Sequence, residues 1–189
     1  MRASDGREDP VRALVRPDDG DGGAAGAGLQ GLGPVVAADT RLVVLGSFPG
    51  VASLQAQQYY GHPRNHFWPI LSALWELELV GLPYEERLRA MLDHGVGLWD
   101  VYASCRRVGS LDSAIEAALP NDLAALLRLA PRLRAIAHNG GESARAMKRT
   151  AALGVEVVRL PSTSPANASW SFARKLAAWR AAFERAGVR

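Results

Sequence analysis

Residues 59–68 read YYGHPRNHFW, which sets two tyrosines, two histidines, an asparagine, a phenylalanine and a tryptophan around one glycine and one proline. Rings at this density can stack on a flat ligand, and Asn65 can orient a water or a polar edge. His62 and His66 have the i,i+4 spacing of a helical metal pair. However, Pro63 lies between them and no glutamate follows His62, so the zinc-protease pattern fails. A serine hydrolase is disfavoured because the chain contains no GxSxG elbow. Three other segments combine glycine or proline with polar groups: GSFPG (46–50), HNGG (138–141) and PSTSPANAS (161–169). Asp100 closes the apolar run VGLWD.

The elements between these segments determine whether they can meet. RLVVLG (41–46), VGLWDV (96–101), LRAIAHNGG (133–141) and VEVVRLP (155–161) are short and apolar, as buried parallel strands are. Helical spacing is read over 65–78, 84–95, SLDSAIEAAL (110–119), NDLAALLRLAP (121–131), 142–152 and 169–186. Ser113 with Glu116 has capping-box spacing, and Asn121 is a natural N-cap. Strands alternating with helices predict an α/β fold, a three-layer α/β/α sandwich around a mostly parallel sheet. Ligands of such sheets bind beyond the carboxyl ends of the strands, where GSFPG, DVYASC, HNGG and PSTSPANAS would gather.

Residues 1–33 are rich in Gly, Ala, Asp and Arg and bury too little apolar surface to offset their ordering entropy. They are expected to form a disordered tail before a single domain over 34–189. One cysteine, Cys105, excludes an internal disulfide and any metal cluster built on several cysteines of this chain. No apolar run is long enough to span a bilayer, and the early acids do not suit a secretory signal. Those features lead us to expect a cytoplasmic protein without a membrane partner. The net charge of +3 and pI of about 9.4 permit a nucleic-acid partner.

Taken in order, GSFPG, YYGHPRNHFW, VGLWDV, HNG and LPSTSPA resemble the uracil-DNA glycosylase superfamily, and most of all its hypoxanthine-DNA (deoxyinosine) glycosylase branch. The resemblance runs from the first strand to the final helix. It implies a monofunctional glycosylase that excises deaminated bases, chiefly hypoxanthine, from DNA in base excision repair, as a monomer and with no cofactor. In the superfamily the first-strand loop carries an Asn or Asp that orients water. Phe48 stands there and cannot do so. The resemblance to the hypoxanthine branch moves this role to Asn65, with Asn139 as a second functional asparagine. A helix N-cap is the competing role for Asn65, and a strand-end turn residue for Asn139.

The resemblance further implies base contacts from Gly46, Phe48, Tyr60 and Asp100. Tyr60 would stack on the flipped base, and Asp100 would accept its N–H unless it is held by an arginine instead. Arg64, Ser162, Thr163, Ser164 and Pro165 are the expected DNA contacts, with Arg106 and Arg107 as further phosphate candidates. Leu160 replaces the histidine with which many uracil-specific relatives begin the last motif. Lys148 and Lys175, the chain's two lysines, lie outside the motifs, so no amine is expected to form a lyase intermediate. Two other functions fit parts of the pattern: a mismatch-type uracil-DNA glycosylase, and a non-catalytic module that binds damaged or single-stranded DNA.

Overall fold

The computed structural model describes residues 28–188. In chain order its elements are β1 (Leu29–Gln30), β2 (Leu42–Gly46), α1 (Val51–Ala56), α2 (Phe67–Trp75), α3 (Tyr84–Asp93), β3 (Val96–Asp100), β4 (Tyr102–Arg106), β5 (Glu116–Pro120), α4 (Ala125–Leu129), β6 (Ala135–Asn139), α5 (Gly141–Ala144), α6 (Met147–Ala151), β7 (Glu156–Leu160) and α7 (Phe172–Arg185).

Four strands form a wholly parallel sheet in the order β3-β2-β6-β7. The period of two along β2 divides its side chains between two cores. Leu42 and Val44 pack with α2, α3 and α7 residues such as Phe67, Ile70, Met91, Trp179 and Phe183. Val43 and Leu45 pack on the opposite face with Trp99, Leu126, Ile136 and Ala146. This is the three-layer α/β/α sandwich expected.

Several sequence expectations fail around residues 100–120. The segment read as a helix over 110–119 forms a short 3-10 turn at Asp112–Ala114, followed by strand β5. β5 pairs antiparallel with β4, and β1 pairs with the other edge of β4, giving a second sheet of three strands. The apparent capping box at Ser113 is therefore not used. Asn121 does not cap a helix either: its Nδ2 donates to the backbone carbonyl of Asp100 at 2.9 Å. Helix α1, directly after GSFPG, was not anticipated.

Residues just before the expected domain start at Pro34 also contact the fold. Leu29 and Gln30 pair with Cys105 and Ser104. Gly31 N–H donates to Ala103 O at 2.8 Å, and the Tyr59 hydroxyl donates to Gly33 O at 2.9 Å. Residues 29–33 of the expected tail are thus tied to the fold, and residues 1–27 lie outside the described residues.

Candidate active site

A cleft of about 510 Å³ opens beyond the carboxyl ends of the parallel strands. Five of the segments singled out from sequence contribute to it: GSFPG after β2, the 59–65 loop, Asp100 at the end of β3, Asn139 at the end of β6, and 162–167 after β7. Strand polarity accounts for the convergence, because every parallel strand delivers its following loop to the same edge.

Asp100 forms the floor. It is 4% exposed, and its Oδ2 has no hydrogen-bond partner among the described residues. Burial pushes its pKa up to about 8, with the neighbouring Asp112 adding to the rise and Arg107 opposing it. The carboxyl is therefore largely neutral at pH 7. Among the described residues no arginine forms an ion pair with Asp100, and Arg107 donates instead to the carbonyls of Pro49 and Gly109. Gly46 is the register partner of Asp100 across the β2–β3 ladder. A Cβ at residue 46 would collide with the Asp100 carboxyl, so the missing side chain supplies the room that the acid occupies.

Tyr60 forms one wall. Phe67 stacks against its ring at 4.0 Å and 18°, and Asn139 Nδ2 donates to its hydroxyl at 3.0 Å. Its φ of 55° is left-handed, a conformation that costs a bulky residue of order 1–3 kcal/mol and persists only where the surroundings fix it. Phe67 and Asn139 provide that fixing. Burial raises the Tyr60 pKa well above its ordinary value, so the hydroxyl stays protonated.

Asn139, expected as a second functional asparagine, spends its amide on protein partners. Its Nδ2 also donates to Thr163 Oγ1 at 2.9 Å, and its Oδ1 accepts from Thr163 N–H at 3.0 Å. Both amide hydrogens and the oxygen are engaged, so Asn139 ties the Tyr60 wall to the loop after β7. Thr163 is correspondingly corrected from a surface phosphate contact to a fully buried brace. Ser162 Oγ accepts from Ser164 N–H and Ser164 Oγ from Ala166 N–H, each at 3.2 Å, which holds this loop in a tight turn around Pro165.

Asn65 sits at the mouth, beside the start of α2. Its Oδ1 accepts from Phe67 N–H at 2.9 Å, so the capping role is real. Its Nδ2 makes no hydrogen bond among the described residues, and the residue lines the cleft, leaving one polar group for a second role. His62 lines the same cleft, and its Nδ1 accepts from Arg64 N–H at 3.1 Å, which directs the proton to Nε2. His62 was read from sequence only as half of a metal pair. That pair is not formed on a helix, since α2 begins at Phe67, and His66 instead approaches Lys175 Nζ at 3.5 Å. Among the described residues, no cluster of three or more His, Cys, Asp and Glu could hold a metal. Lys175 is buried behind His66 and does not line the cleft.

Phe48 lies buried beneath the Arg107 guanidinium, 5.1 Å from its ring centre. Arg107 also donates to the carbonyls of Pro49 and Gly109. It is thereby a strut within the site rather than a free phosphate contact, whereas Arg64 and Arg106 remain exposed. Two acceptor–donor contacts that sequence reasoning missed join the 107–112 segment to GSFPG. Ser47 donates to Asp112 Oδ1 at 2.6 Å, and Val51 N–H donates to Ser110 Oγ at 2.9 Å. They were not legible because the segment was read as a helix. His138, although within HNGG, is buried between Ser143 and Thr150 and its pKa falls to about 4 through burial. It is a neutral core residue.

An open parallel sheet carrying a cleft at its switch edge, with an aromatic wall and a buried acid, defines an α/β domain with a ligand-sized site beyond its strand ends. The chain belongs to the uracil DNA glycosylase superfamily, whose family model matches residues 34–184. A hypoxanthine DNA glycosylase of Methanosarcina barkeri is 36% identical over 156 residues, covering 82% of this chain and 98% of the relative. A hypoxanthine DNA glycosylase of Methanosarcina acetivorans is 35% identical over 154 residues, covering 82% and 97%. A solution NMR structure of a candidate uracil DNA glycosylase from Methanosarcina acetivorans superposes with a TM-score of 0.76 at 34% identity, covering 84% of this chain and 98% of the other.

Proposed function

We propose that this chain is a monofunctional DNA glycosylase that hydrolyses the bond between base and deoxyribose at deoxyinosine, releasing hypoxanthine and leaving an abasic site. The observation that carries this reading is the buried, unpartnered carboxyl of Asp100 at the floor of a cleft walled by Tyr60. A neutral carboxyl is both donor and acceptor. It matches the lactam edge of hypoxanthine, accepting from N1–H and donating to O6.

In the reaction, the flipped base enters the cleft and stacks beside Tyr60, an interaction worth roughly 1–3 kcal/mol. Asn65 holds a water against the sugar. As the bond from C1′ to N9 breaks, its electron pair leaves with the base and an oxocarbenium-like sugar forms. The Asp100 O–H at O6 stabilises the charge on the departing purine. The water oxygen bonds to C1′, one of its protons is lost to solvent, and the base is protonated on release. Asn139 positions Tyr60 and the 162–167 loop. Arg64 and the hydroxyls of Ser162 and Ser164 donate to phosphates. Among the described residues no helix is long and apolar enough to cross a membrane. The proposed enzyme acts on DNA as a cytoplasmic monomer.

The test is a base-release panel. Labelled duplexes carrying deoxyinosine, deoxyuridine or deoxyxanthosine are incubated with the protein and then cleaved at abasic sites by alkali. Fastest release from deoxyinosine is expected. Release of uracil alone would support the mismatch-type uracil enzyme, and tight binding without release would support the non-catalytic module.

A further inference from the structure

The antiparallel hairpin of β4 and β5 places its tip, residues 106–111, at the rim of the cleft, where Ser110 and Leu111 help line it. Val108 is 92% exposed and Leu111 58% exposed. Single exposed apolar residues are ordinary on a protein surface. This tip is set apart by how firmly it is held. Arg107 bonds to Pro49 and Gly109 and covers Phe48, Ser110 accepts from Val51 N–H, and Asp112 accepts from Ser47. Gly109, at a φ of +75°, makes the turn immediately after Val108. Three ties thus fix the tip to the GSFPG loop while its foremost side chain is left in solvent.

The facing rim, residues 162–167, reads STSPAN and carries no bulky apolar side chain. The tip itself carries Arg106 and Arg107 and no acid. Extrusion of a base from a duplex leaves a gap in the stack, and proteins that distort DNA insert apolar side chains between base steps. We propose that the 106–111 hairpin is a duplex-inserting wedge: Val108 enters the base stack at the site vacated by the flipped nucleotide, Leu111 packs behind it at the cleft rim, and Arg106 faces the phosphates. This inference rests on the reading of the cleft as a pocket for an extruded base.

The experiment compares the wild type with Val108→Ala, Val108→Asp and Val108→Leu in single-turnover release of hypoxanthine. One duplex pairs deoxyinosine with deoxycytidine, and another places it in a three-nucleotide mismatched bubble, where little stacking has to be broken. Melting temperatures confirm that each variant folds, as expected for a side chain in solvent. Val108→Asp is expected to slow release from the paired duplex by about tenfold or more and from the bubble by less than about twofold, because only the paired site needs the gap filled. Val108→Ala should fall between, and Val108→Leu should match the wild type. A 2-aminopurine beside the lesion should brighten on binding of wild type and not of Val108→Asp. Equal slowing on both substrates, or unchanged release from the pair, overturns the wedge. So does loss of self-association or of a protein contact with release intact. If the wild type releases hypoxanthine from neither substrate, the proposed reaction fails instead, and the 2-aminopurine signal still decides whether the tip inserts.

Discussion

Asn65→Ser separates the two roles that meet in one side chain. Oδ1 caps α2 through the 2.9 Å bond from Phe67 N–H, and the unpaired Nδ2 lies in the cleft. Serine is as good a cap as asparagine, so the substitution should change stability by no more than a few tenths of a kcal/mol. Its hydroxyl sits on a shorter stem and carries no second polar atom, so the water-holding group is lost. Removal of one preorganised polar group at a reacting centre costs about 10²–10³ in rate, or about 3 kcal/mol of barrier. Asn65→Ala would add the cap loss of about 1 kcal/mol, a fall of roughly 2–4 °C in Tm for a domain of this size. The assay is single-turnover cleavage of a labelled deoxyinosine duplex at saturating enzyme, with Kd from anisotropy and Tm from circular dichroism. Asn65→Ser should match the wild type in Tm and nearly in Kd, with release slowed at least about a hundredfold. Release at the wild-type rate would make Asn65 a cap alone and refute its place in the chemistry.

Asp100→Asn tests the neutral acid. The acid's pKa is raised from 3.8 to about 8 in the folded chain, so between these values the fold keeps a proton that the unfolded chain gives up. Stability therefore falls as pH rises from about 4 to about 8, and Asp100→Asn should flatten that slope in urea titrations. The carboxamide also keeps one donor and one acceptor, so release should persist and lose the decline that ionisation imposes on the wild type above about pH 8; Asp100→Leu should abolish it. Asn139→Ala removes three hydrogen bonds and should cost about 1–3 kcal/mol of stability together with release; a slow variant with an unchanged Tm would make Asn139 a direct participant in the reaction. A chain beginning at Gly28 should unfold like the full chain, whereas one beginning at Pro34 loses the β1 pairing and the Tyr59 bonds and should melt earlier; equal melting would return the domain boundary to Pro34.

The sheet was legible because its strands are short runs rich in apolar residues that stop at Gly46, Asp100, Asn139 and Pro161. All four appear within one or two residues of their sequence bounds. Their polarity in turn made the location of the cleft legible. The β4–β5 hairpin was not, because SLDSAIEAAL has helical periodicity and good helix formers. Its fate is decided by pairing with β4, and tertiary pairing overrides local propensity. Asn139 shows the same limit in the site. Its place at a strand end follows from sequence, but that all of its amide is spent on Tyr60 and Thr163 depends on contacts 79 and 24 residues away. Tyr60 could be chosen as a stacking ring from its type and place. Its left-handed backbone could not be, since nothing local favours it.

The pairing of Gly46 with Asp100 makes the hydrogen-bond ladder itself part of the pocket. Specificity here is vulnerable to a slip as well as to a substitution. If β2 shifted by one residue against β3, Leu45 or Ser47 would lie across from Asp100 and its side chain would occupy the acid's space. A misregistered molecule would accordingly be inert rather than promiscuous, which is a safer fault in an enzyme that removes bases from DNA. The same geometry couples the two positions in descent. A lineage that gains a side chain at residue 46 must give up the carboxyl at residue 100, so the two should drift only as a pair.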